Sequence, residues 1–330
     1  MNIAFLIGNG FDIAQGAKTR YKDFYEIFKN ESPINDLEAK MIAEIRGADV
    51  ETWADMEVRL GQFAANASEP DEFQEFYFHL ISSLHGYLKQ EQNKLTILQS
   101  DKYIADMRVP WQYLNQTEMQ LVVSYLNDFS VEPFAANVIS YNYTDILEKT
   151  LGYKDSPISV KPYYSSSPSY QFEKIYKIHG CIDGTPILGV NDASQIANDA
   201  FAKNPDVTDF LVKPDSNKVL GTRVDEFCRK VLREAQLIVL HGVSMGDTDN
   251  MWWSCVGENC LKNQTTRVLI FYHDEENYDN LHATLVGRKK REIRSMFFDK
   301  CGIPKEKRKE IESRVFPIIN SGFLAPKKGS

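Results

Sequence analysis

Short apolar runs alternate with amphipathic stretches along most of the chain. The runs that predict strands are residues 3–7, 137–141, 175–178, 186–190, 236–240 and 267–272. Such uninterrupted runs are typical of strands that are buried on both faces of a parallel sheet. Stretches with helical spacing follow several of them, including 194–202, 224–234 and 279–298. This order of elements predicts an α/β fold with a mostly parallel sheet.

Residues 35–129 have a different pattern, with helical spacing through most of the segment. Apolar side chains recur on one helix face over residues 73–88, after a turn at 68–71 that suits a helix start. We therefore predict a discontinuous sheet domain at 1–34 and 130–320, with a large helical insertion or cap at 35–129. We predict that residues 321–330 form a flexible tail, because the end of the chain is polar.

Four of the predicted strands end in turns that are rich in glycine or polar residues. These turns begin at Gly8, Asn142, His179 and His241. Ligands of open α/β sheets bind beyond the carboxyl ends of the strands, at the point where the strand order reverses. Four such turns from distant segments predict one shared nucleotide site in a Rossmann-like sheet domain.

The first turn, from Gly8 to Asp12, allows two interpretations. Glycine lets the backbone approach a pyrophosphate, and the next helix offers free N–H groups at its start. Glycine equally serves a tight turn. The standard dinucleotide motif has a third glycine where this chain has Ile13, and the next glycine here is Gly16. This departure disfavours a redox dehydrogenase.

Composition excludes several classes of protein. The formal net charge of -8 argues against a general nucleic-acid binder. The five cysteines are scattered without a Cys-x-x-Cys pair, which indicates neither a disulfide framework nor a zinc site. No apolar run approaches the roughly 18–20 residues of a membrane span, and the N-terminus lacks the pattern of a signal peptide. We expect a cytoplasmic protein without membrane contact, nucleic-acid partner or metal ion.

Two residues at strand ends are candidates for catalysis. Histidine suits general-base work at neutral pH, so His179 is a candidate base; the alternative is a hydrogen bond to backbone at the strand end. Asn142 offers a donor and an acceptor to a ribose hydroxyl or a water. Its alternative is an Asx turn or a cap for the next helix.

Other polar residues of the turns are candidates for ligand binding. Asp12 suits ribose hydroxyls and equally suits a helix cap. Asp247 and Asp249 suit a helix start for dipole reasons, and they are also candidates for contact with an adenosine ribose. Thr19 and Tyr21 are candidates for closing over the ligand, with the core as the alternative for Tyr21.

Trp53 and Glu57 share one helix face. One interpretation is structural, with Trp53 in the core and Glu57 paired with a basic residue such as Arg20. The other places the Glu57 carboxylate near positive charge that develops on a sugar. A Mg²⁺-dependent nuclease also remains open; its carboxylates would be those of Asp12, Glu57, Asp247 and Asp249.

The turn residues belong to a set of motifs that spans almost the whole chain. The motifs are Gly8-Asn9-Gly10-Phe11-Asp12, Gly16-x-x-Thr19-x-Tyr21, Trp53-x-Asp55-x-Glu57, Asn142-Tyr143-Thr144, Ile178-His179-Gly180, Leu188-Gly189-Val190-Asn191-Asp192 and Gly242-x-Ser244-x-Gly246-Asp247-x-Asp249. In residue type, order and spacing they resemble the AbiH family of bacterial phage-abortive-infection proteins. That family usually has Gly-His-Ser in the last motif, whereas this chain has His241-Gly242-Val243-Ser244, so a role for His241 stays open.

A more distant resemblance concerns mechanism. The order Gly-x-Gly, Asn-Tyr, His-Gly and Gly-x-Ser is similar to sirtuins and to sirtuin-like NAD hydrolases of antiphage defence. It implies that Gly8 and Gly10 hold the NAD pyrophosphate. Asn142 would then lie by the nicotinamide ribose, and His179 would be the catalytic base. Sirtuin deacetylases commonly add a four-cysteine zinc module, which this cysteine spacing does not provide, so protein deacetylation is disfavoured.

The resemblances imply a sirtuin-like fold and a phage-defence protein that binds NAD or NADP and hydrolyses the nicotinamide N-glycosidic bond. A non-catalytic nucleotide-sensing module that acts through a partner is the main alternative. We expect regulation by a defence-system partner or by homo-oligomer formation. The predicted binding residues are Gly8, Asn9, Gly10, Phe11, Asp12, Thr19, Tyr21, Gly242, Ser244, Asp247 and Asp249, beside the catalytic candidates His179 and Asn142.

Overall fold

The computed structural model describes residues 1–47, 55–97, 99–129, 133–160, 169–276 and 283–326. The strands in this part of the chain are β1 (Asn2–Ile7), β2 (Phe134–Ser140), β3 (Ile158–Val160), β4 (Tyr170–Lys177), β5 (Leu237–His241), β6 (Arg267–Tyr272) and β7 (Val315–Ile319). They form one sheet in the order β3-β4-β2-β1-β5-β6-β7, and only the β3–β4 pair is antiparallel. The prediction of an α/β fold with a mostly parallel sheet is confirmed.

Along the described chain, the helices all lie between β1 and β7. The helices of the described residues are α1 (Gly10–Ala14), α2 (Tyr21–Phe28), α3 (Asp36–Gly47), α4 (Met56–Phe63), α5 (Pro70–Lys94), α6 (Asp101–Arg108), α7 (Gln116–Asn127), α8 (Ile146–Leu151), α9 (Pro205–Leu211), α10 (Lys213–Val219), α11 (Val224–Glu234), α12 (Asn250–Lys262), α13 (Ala283–Lys300) and α14 (Lys305–Ile311). Within the described ranges, none combines the length and apolar character that crossing a membrane requires.

The sheet brings the predicted turns to one edge. Ile7, the last residue of β1, pairs with Ser140 of β2 on one side and with His241 of β5 on the other. From β1 the chain builds outward to β2 and β4 in one direction, and to β5, β6 and β7 in the other. The strand order therefore reverses between β1 and β5, which is where open α/β sheets bind ligands.

Among the described residues, three apolar cores hold these layers together. Side chains of β1 alternate between the two faces of the sheet, so Phe5 packs with α6, α7 and α8 while Leu6 packs with α11, α12 and α13. The third core lies away from the sheet and joins α2, α3, α4, α5 and α9 with the loop around Leu188. The helical segment therefore packs in two separate places. Helices α3–α5 contribute to the third core, whereas α6 and α7 cover one face of the sheet.

Two predictions between β4 and α11 are wrong. Residues 186–190 form no strand; Val190 makes only an isolated bridge with Val212. Residues 194–202 contain two short 3₁₀ turns in place of a helix. Asp192 accepts the N–H of Ser194, and Asn198 accepts the N–H groups at 200 and 201. Such side-chain acceptors compete with continuous helix formation.

The packed chain extends beyond residue 320. Phe323 and Leu324 are 1% and 0% exposed. The Phe323 ring stacks on Phe271 with centroids 3.8 Å apart, and the Leu324 N–H donates to Asp106 at 2.9 Å. Residues 323 and 324 therefore belong to the packed fold and not to the predicted tail, whereas 327–330 lie outside the described residues.

His241 lies in this aromatic region at the end of β5. Its ring centroid is 6.5 Å from that of Phe11, 6.2 Å from Phe271 and 5.3 Å from Phe323. Both ring nitrogens are buried and have no hydrogen-bond partner among the described residues. Burial lowers the pKa of His241 to about 4. Unfolding frees the ring to take a proton, so the free energy of unfolding falls as pH drops from about 6.5 to about 4.

We predict that His241→Phe is less sensitive to acid than the wild type. Between pH 7 and pH 4 the variant should avoid a loss of up to about 3 kcal/mol in the free energy of unfolding, since each pKa unit corresponds to about 1.4 kcal/mol. Urea unfolding at pH 7, 5 and 4 measures this difference. His273→Phe is the control because His273 is exposed. If the free energy of unfolding changes with pH equally in the wild type and His241→Phe, the lowered pKa of His241 is contradicted.

Candidate functional site

Polar side chains from distant segments meet beyond the carboxyl ends of the central strands. His179 follows β4, and Asp249 ends the loop after β5. The two side chains are in contact, with His179 Nε2 2.9 Å from Asp249 Oδ1. Because β1 and β2 lie between β4 and β5, the loop that carries Asp249 crosses the ends of both strands.

A buried lysine lies at the centre of this cluster. Lys213 Nζ donates to Glu57 Oε2 at 2.7 Å and to Asp249 Oδ1 at 2.8 Å. Thr248 Oγ1 donates to Glu57 Oε2 at 2.5 Å, and the Tyr21 hydroxyl lies 3.4 Å from Glu57 Oε1. Lys213 and Glu57 are each only 5% exposed. The start of α10, the first turn of α4 and the loop before α12 are therefore joined by charged hydrogen bonds.

The charges of this cluster reinforce one another. Burial alone would raise the pKa of Asp249, but the charge of Lys213 and the hydrogen bonds from Lys213 and His179 outweigh burial and hold that pKa well below its ordinary value. Burial alone would lower the pKa of Lys213, but Asp249 and Glu57 outweigh it and raise that pKa. Asp249 and Lys213 are therefore both charged at neutral pH.

The charged partners fix the proton arrangement of His179. An ionised carboxylate only accepts hydrogen bonds, so the Nε2 atom beside Asp249 carries a hydrogen. The Lys213 ammonium, 3.4 Å from the same nitrogen, only donates and cannot bond to it in this state. Nδ1 is therefore the nitrogen of His179 that can accept a proton.

A narrow cleft borders His179 on the side of α10, α11 and α12. Its walls include Lys213, Asn217, Asp225 and Trp252. Asn217 Nδ2 donates to Asp225 Oδ1 at 3.1 Å, and burial raises the pKa of Asp225 to about 6. The cleft therefore presents a carboxyl group that titrates near neutral pH beside the charged cluster.

A second polar cluster surrounds Asp12 at the end of β1. Asn142 Nδ2 donates to Asp12 Oδ1 at 2.7 Å, and Thr144 Oγ1 donates to Asp12 Oδ2. Burial raises the pKa of Asp12 to about 7, against the opposing effects of these donors and of Lys177. The bond to Asp12 orients the Asn142 amide, whose Oδ1 is buried without a hydrogen-bond partner among the described residues. Asn142 thus carries an unsatisfied acceptor.

The glycine turn packs closely on the turn after β5. Gly8 N donates to the His241 carbonyl and Gly10 N to the Gly242 carbonyl, both at 2.9 Å. A Cβ at Gly8 would lie 2.6 Å from the Gly242 carbonyl oxygen, and one at Gly10 would lie 2.5 Å from Gly242 Cα. Gly242 itself has φ +65°. This close approach requires glycine at all three positions.

The neighbouring candidates for ligand binding, Asn9, Phe11 and Thr19, make contacts within the turn and the core. Asn9 Nδ2 donates to the Thr19 carbonyl at 2.9 Å, and Thr19 Oγ1 donates to Asn9 Oδ1. Phe11 is fully buried, with its ring centroid 6.1 Å from that of Tyr103. These residues position the glycine turn, and Asn9 is the partly exposed one of the three.

The carboxylates of the nuclease alternative do not come together. Ser244 and Asp247 are exposed, and Asp247 pairs with Lys300 at 2.5 Å. Asp12 lies in the Asn142 cluster, while the Lys213 ammonium separates the carboxylates of Glu57 and Asp249. A lysine between two carboxylates takes the place that a metal ion would need, so this arrangement does not favour the nuclease.

Lys213, at the centre of the site, was not predicted from the sequence, and neither were Thr248, Asn217 and Asp225. The basic partner of Glu57 is Lys213 and not Arg20, and the predicted role of Trp53 lies outside the described residues. No strand or helix was predicted at 205–219, where the structure has α9 and α10. Pro214 followed by an acidic residue is a helix-start signal that would have marked α10.

The chain matches a known protein family over most of its length. The family model described as "Bacteriophage abortive infection AbiH" matches residues 4–272. That range contains all residues of the Lys213 and Asp12 clusters. Comparison with individual curated proteins gave no match.

We predict that Lys213→Met lowers the free energy of unfolding by about 3–5 kcal/mol, because Glu57 and Asp249 would stay buried without their cation. Adding Glu57→Gln should restore part of the loss, since it neutralises one of the two stranded carboxylates. Chemical unfolding of the wild type and both variants at neutral pH measures the effect. Unchanged stability of Lys213→Met would show that the ion pairs do not hold the site together.

We predict that Asp12→Asn becomes more stable than the wild type as pH rises from about 4 to about 7. The folded wild type keeps the Asp12 proton in this range whereas the unfolded chain releases it, so its free energy of unfolding falls with rising pH. The relative gain has an upper limit of about 4 kcal/mol. Urea unfolding at pH 4.5 and pH 8 measures it, with exposed Asp209→Asn as the control. A gain that is equal at both pH values would rule out a buried, protonated Asp12.

Proposed function

The chain belongs to the AbiH family of bacteriophage abortive infection proteins, and we propose that it acts in this defence by hydrolysing the nicotinamide N-glycosidic bond of NAD or NADP. The observation that carries the proposal is the contact of His179 with Asp249 beyond the end of β4. A carboxylate that fixes one nitrogen of an imidazole leaves the other nitrogen as an oriented general base. The substrate assignment also draws on the similarity of the motif order to sirtuin-like NAD hydrolases.

The proposed reaction needs a general base for the attacking water and negative charge near the ribose. It does not need a general acid, because nicotinamide leaves as a neutral molecule. A water oxygen bonds to C1′ of the ribose as the bond from C1′ to the nicotinamide nitrogen breaks. The water gives a proton to His179 Nδ1, and nicotinamide leaves as a neutral molecule. The other product is ADP-ribose, or its 2′-phosphate when the substrate is NADP.

The charge of the Lys213 cluster suits that transition state. The cluster places two carboxyl groups, those of Glu57 and Asp249, around the single ammonium of Lys213. Fixed negative charge stabilises the positive charge that develops on the ribose as the glycosidic bond breaks. It also stabilises the imidazolium that forms when His179 takes the proton.

Two further observations support a nucleotide ligand. Counted along the chain, the six parallel strands follow the order 3-2-1-4-5-6 of Rossmann-like dinucleotide-binding sheets. The buried Asn142 Oδ1 has no donor in the described part of the chain, and a buried acceptor without a partner is costly. We assign it to a hydroxyl of the nicotinamide ribose, with Asp12 as the residue that orients the amide.

The glycine turn has a different part in this proposal. The N–H groups of Gly8 and Gly10 are already bonded to the carbonyls of His241, at the end of β5, and of Gly242. We therefore assign these glycines to the close contact of the two turns. The partly exposed Asn9 is the residue of this turn that we assign to the nucleotide, and Phe11 and Thr19 support its position.

We predict that the purified protein releases nicotinamide from NAD and that His179→Ala lowers the rate at least about 100-fold, as expected for loss of a general base. Nicotinamide is measured directly, with NAD binding measured in the same samples by calorimetry. The matched control is His273→Ala, which removes an exposed histidine and should keep the wild-type rate.

The outcomes separate the proposed functions. NAD binding without release, by wild type and variant alike, would support the non-catalytic sensing module. Release at the wild-type rate by His179→Ala would remove the assigned base. Neither release nor binding at high protein concentration would overturn the assignment of NAD as the ligand.

A further inference from the structure

A second group of ionisable side chains lies in the third core, apart from the sheet. Glu31 follows α2, Glu38 lies in the first turn of α3, and His79 lies on α5. One ligand atom from each residue comes within 4.8 Å of the others. The ligands come from three elements that are separate in sequence, so no short motif marks them.

The Glu38 carboxylate is the most deeply placed of the three. It is 0% exposed. His79 Nδ1 lies 2.7 Å from its Oε1, and the Ile34 N–H donates to its Oε2 at 2.9 Å. A carboxylate buried to this extent needs a compensating positive charge. In the described part of the chain, neither Glu38 nor Glu31 forms an ion pair with a lysine or arginine.

A divalent cation would balance this charge. Two carboxylates and a neutral imidazole carry a charge of two minus, which one divalent ion neutralises. The His79 side chain is 33% exposed and Glu31 is partly exposed, so an ion can enter and water can complete its coordination. Protonated His79 alone would neutralise only one of the two carboxylates.

The carboxylates are held in place from outside the group. Ser83, one turn beyond His79 on α5, donates to Glu31 Oε2 at 2.9 Å. The Ile34 N–H holds Glu38 in the same way. Outer donors of this kind orient ligand atoms in metal sites. Each carboxylate therefore has one oxygen fixed by a donor, and the other oxygen of Glu38 contacts His79.

We propose that Glu31, Glu38 and His79 bind a divalent transition-metal ion such as Zn²⁺, which links the α2–α3 connection to α5. One imidazole nitrogen and two carboxylate oxygens are ligands that Zn²⁺ accepts at about 2.0–2.2 Å. Mg²⁺ and Ca²⁺ prefer all-oxygen surroundings, so the imidazole selects against them. The site lies in the third core, apart from the Lys213 cluster, so it is independent of the proposed hydrolysis.

The test is a titration of the chelator-treated, dialysed full-length protein with Zn²⁺ alone, followed by calorimetry and by thermal unfolding. We expect one ion per chain and a rise in melting temperature. His79→Gln and Glu31→Gln should each weaken binding at least about tenfold, and Ser83→Ala should weaken it about tenfold because it frees Glu31. His273→Ala, which removes an exposed histidine, should bind like the wild type.

Glu31→Gln keeps the test valid if substitution of His79 disturbs folding, because Glu31 lies at the surface of the group and circular dichroism reports whether the variant folds. Mg²⁺ at the same concentration should not raise the melting temperature. Zinc binding that Glu31→Gln and Ser83→Ala leave unchanged would place the ion elsewhere and overturn the proposal. So would a saturated stoichiometry well below one ion per chain.

Discussion

The Lys213 ammonium is the interaction on which the candidate site depends. It joins a helix of the insertion, through Glu57, to the loop after β5, through Asp249, and it is itself buried. Separating these partners would leave charges buried and unpaired, which costs far more than loss of a surface ion pair. The orientation of His179 follows from the same contact, because the ionised Asp249 that Lys213 holds also fixes the His179 ring.

The path of the loop after β5 imposes a second constraint. To bring Asp249 to His179, the loop must cross the ends of β1 and β2, and it first meets the turn after β1. There Gly242 approaches Gly8 and Gly10 so closely that no Cβ fits. The glycines are thus a geometric condition for assembling the charged cluster. The close contact with Gly242 is enough to explain glycine at positions 8 and 10, without any ligand. This supports the tight-turn interpretation.

The sequence predicted those features that depend on local pattern. The apolar runs located β1, β2, β4, β5 and β6, and the spacing over 224–234 matched α11, since burial on both faces leaves a continuous apolar signal. The pattern did not predict Lys213, because lysine is usually exposed. Lys213 is buried only because Glu57 and Asp249, which are distant in sequence, pair with it. The strand predicted at 186–190 failed for a related reason: its apolar residues, Leu188 among them, are buried in the third core and not in the sheet.

Two polar features are not explained by stability of the fold and favour a ligand site at this edge of the sheet. Each buried charge of the Lys213 cluster has its partner, so that cluster alone is explained by stability. The buried Asn142 Oδ1 has no donor within the described ranges, although Asp12 holds the nitrogen of the same amide and itself accepts from Thr144. His179 likewise keeps one nitrogen that can accept a proton after Asp249 has fixed the other. A substrate hydroxyl could donate to Asn142 Oδ1. An attacking water could give its proton to His179 at the same edge of the sheet. The case for hydrolysis therefore depends on Asn142 and His179 and not on the glycine turn that first suggested a nucleotide.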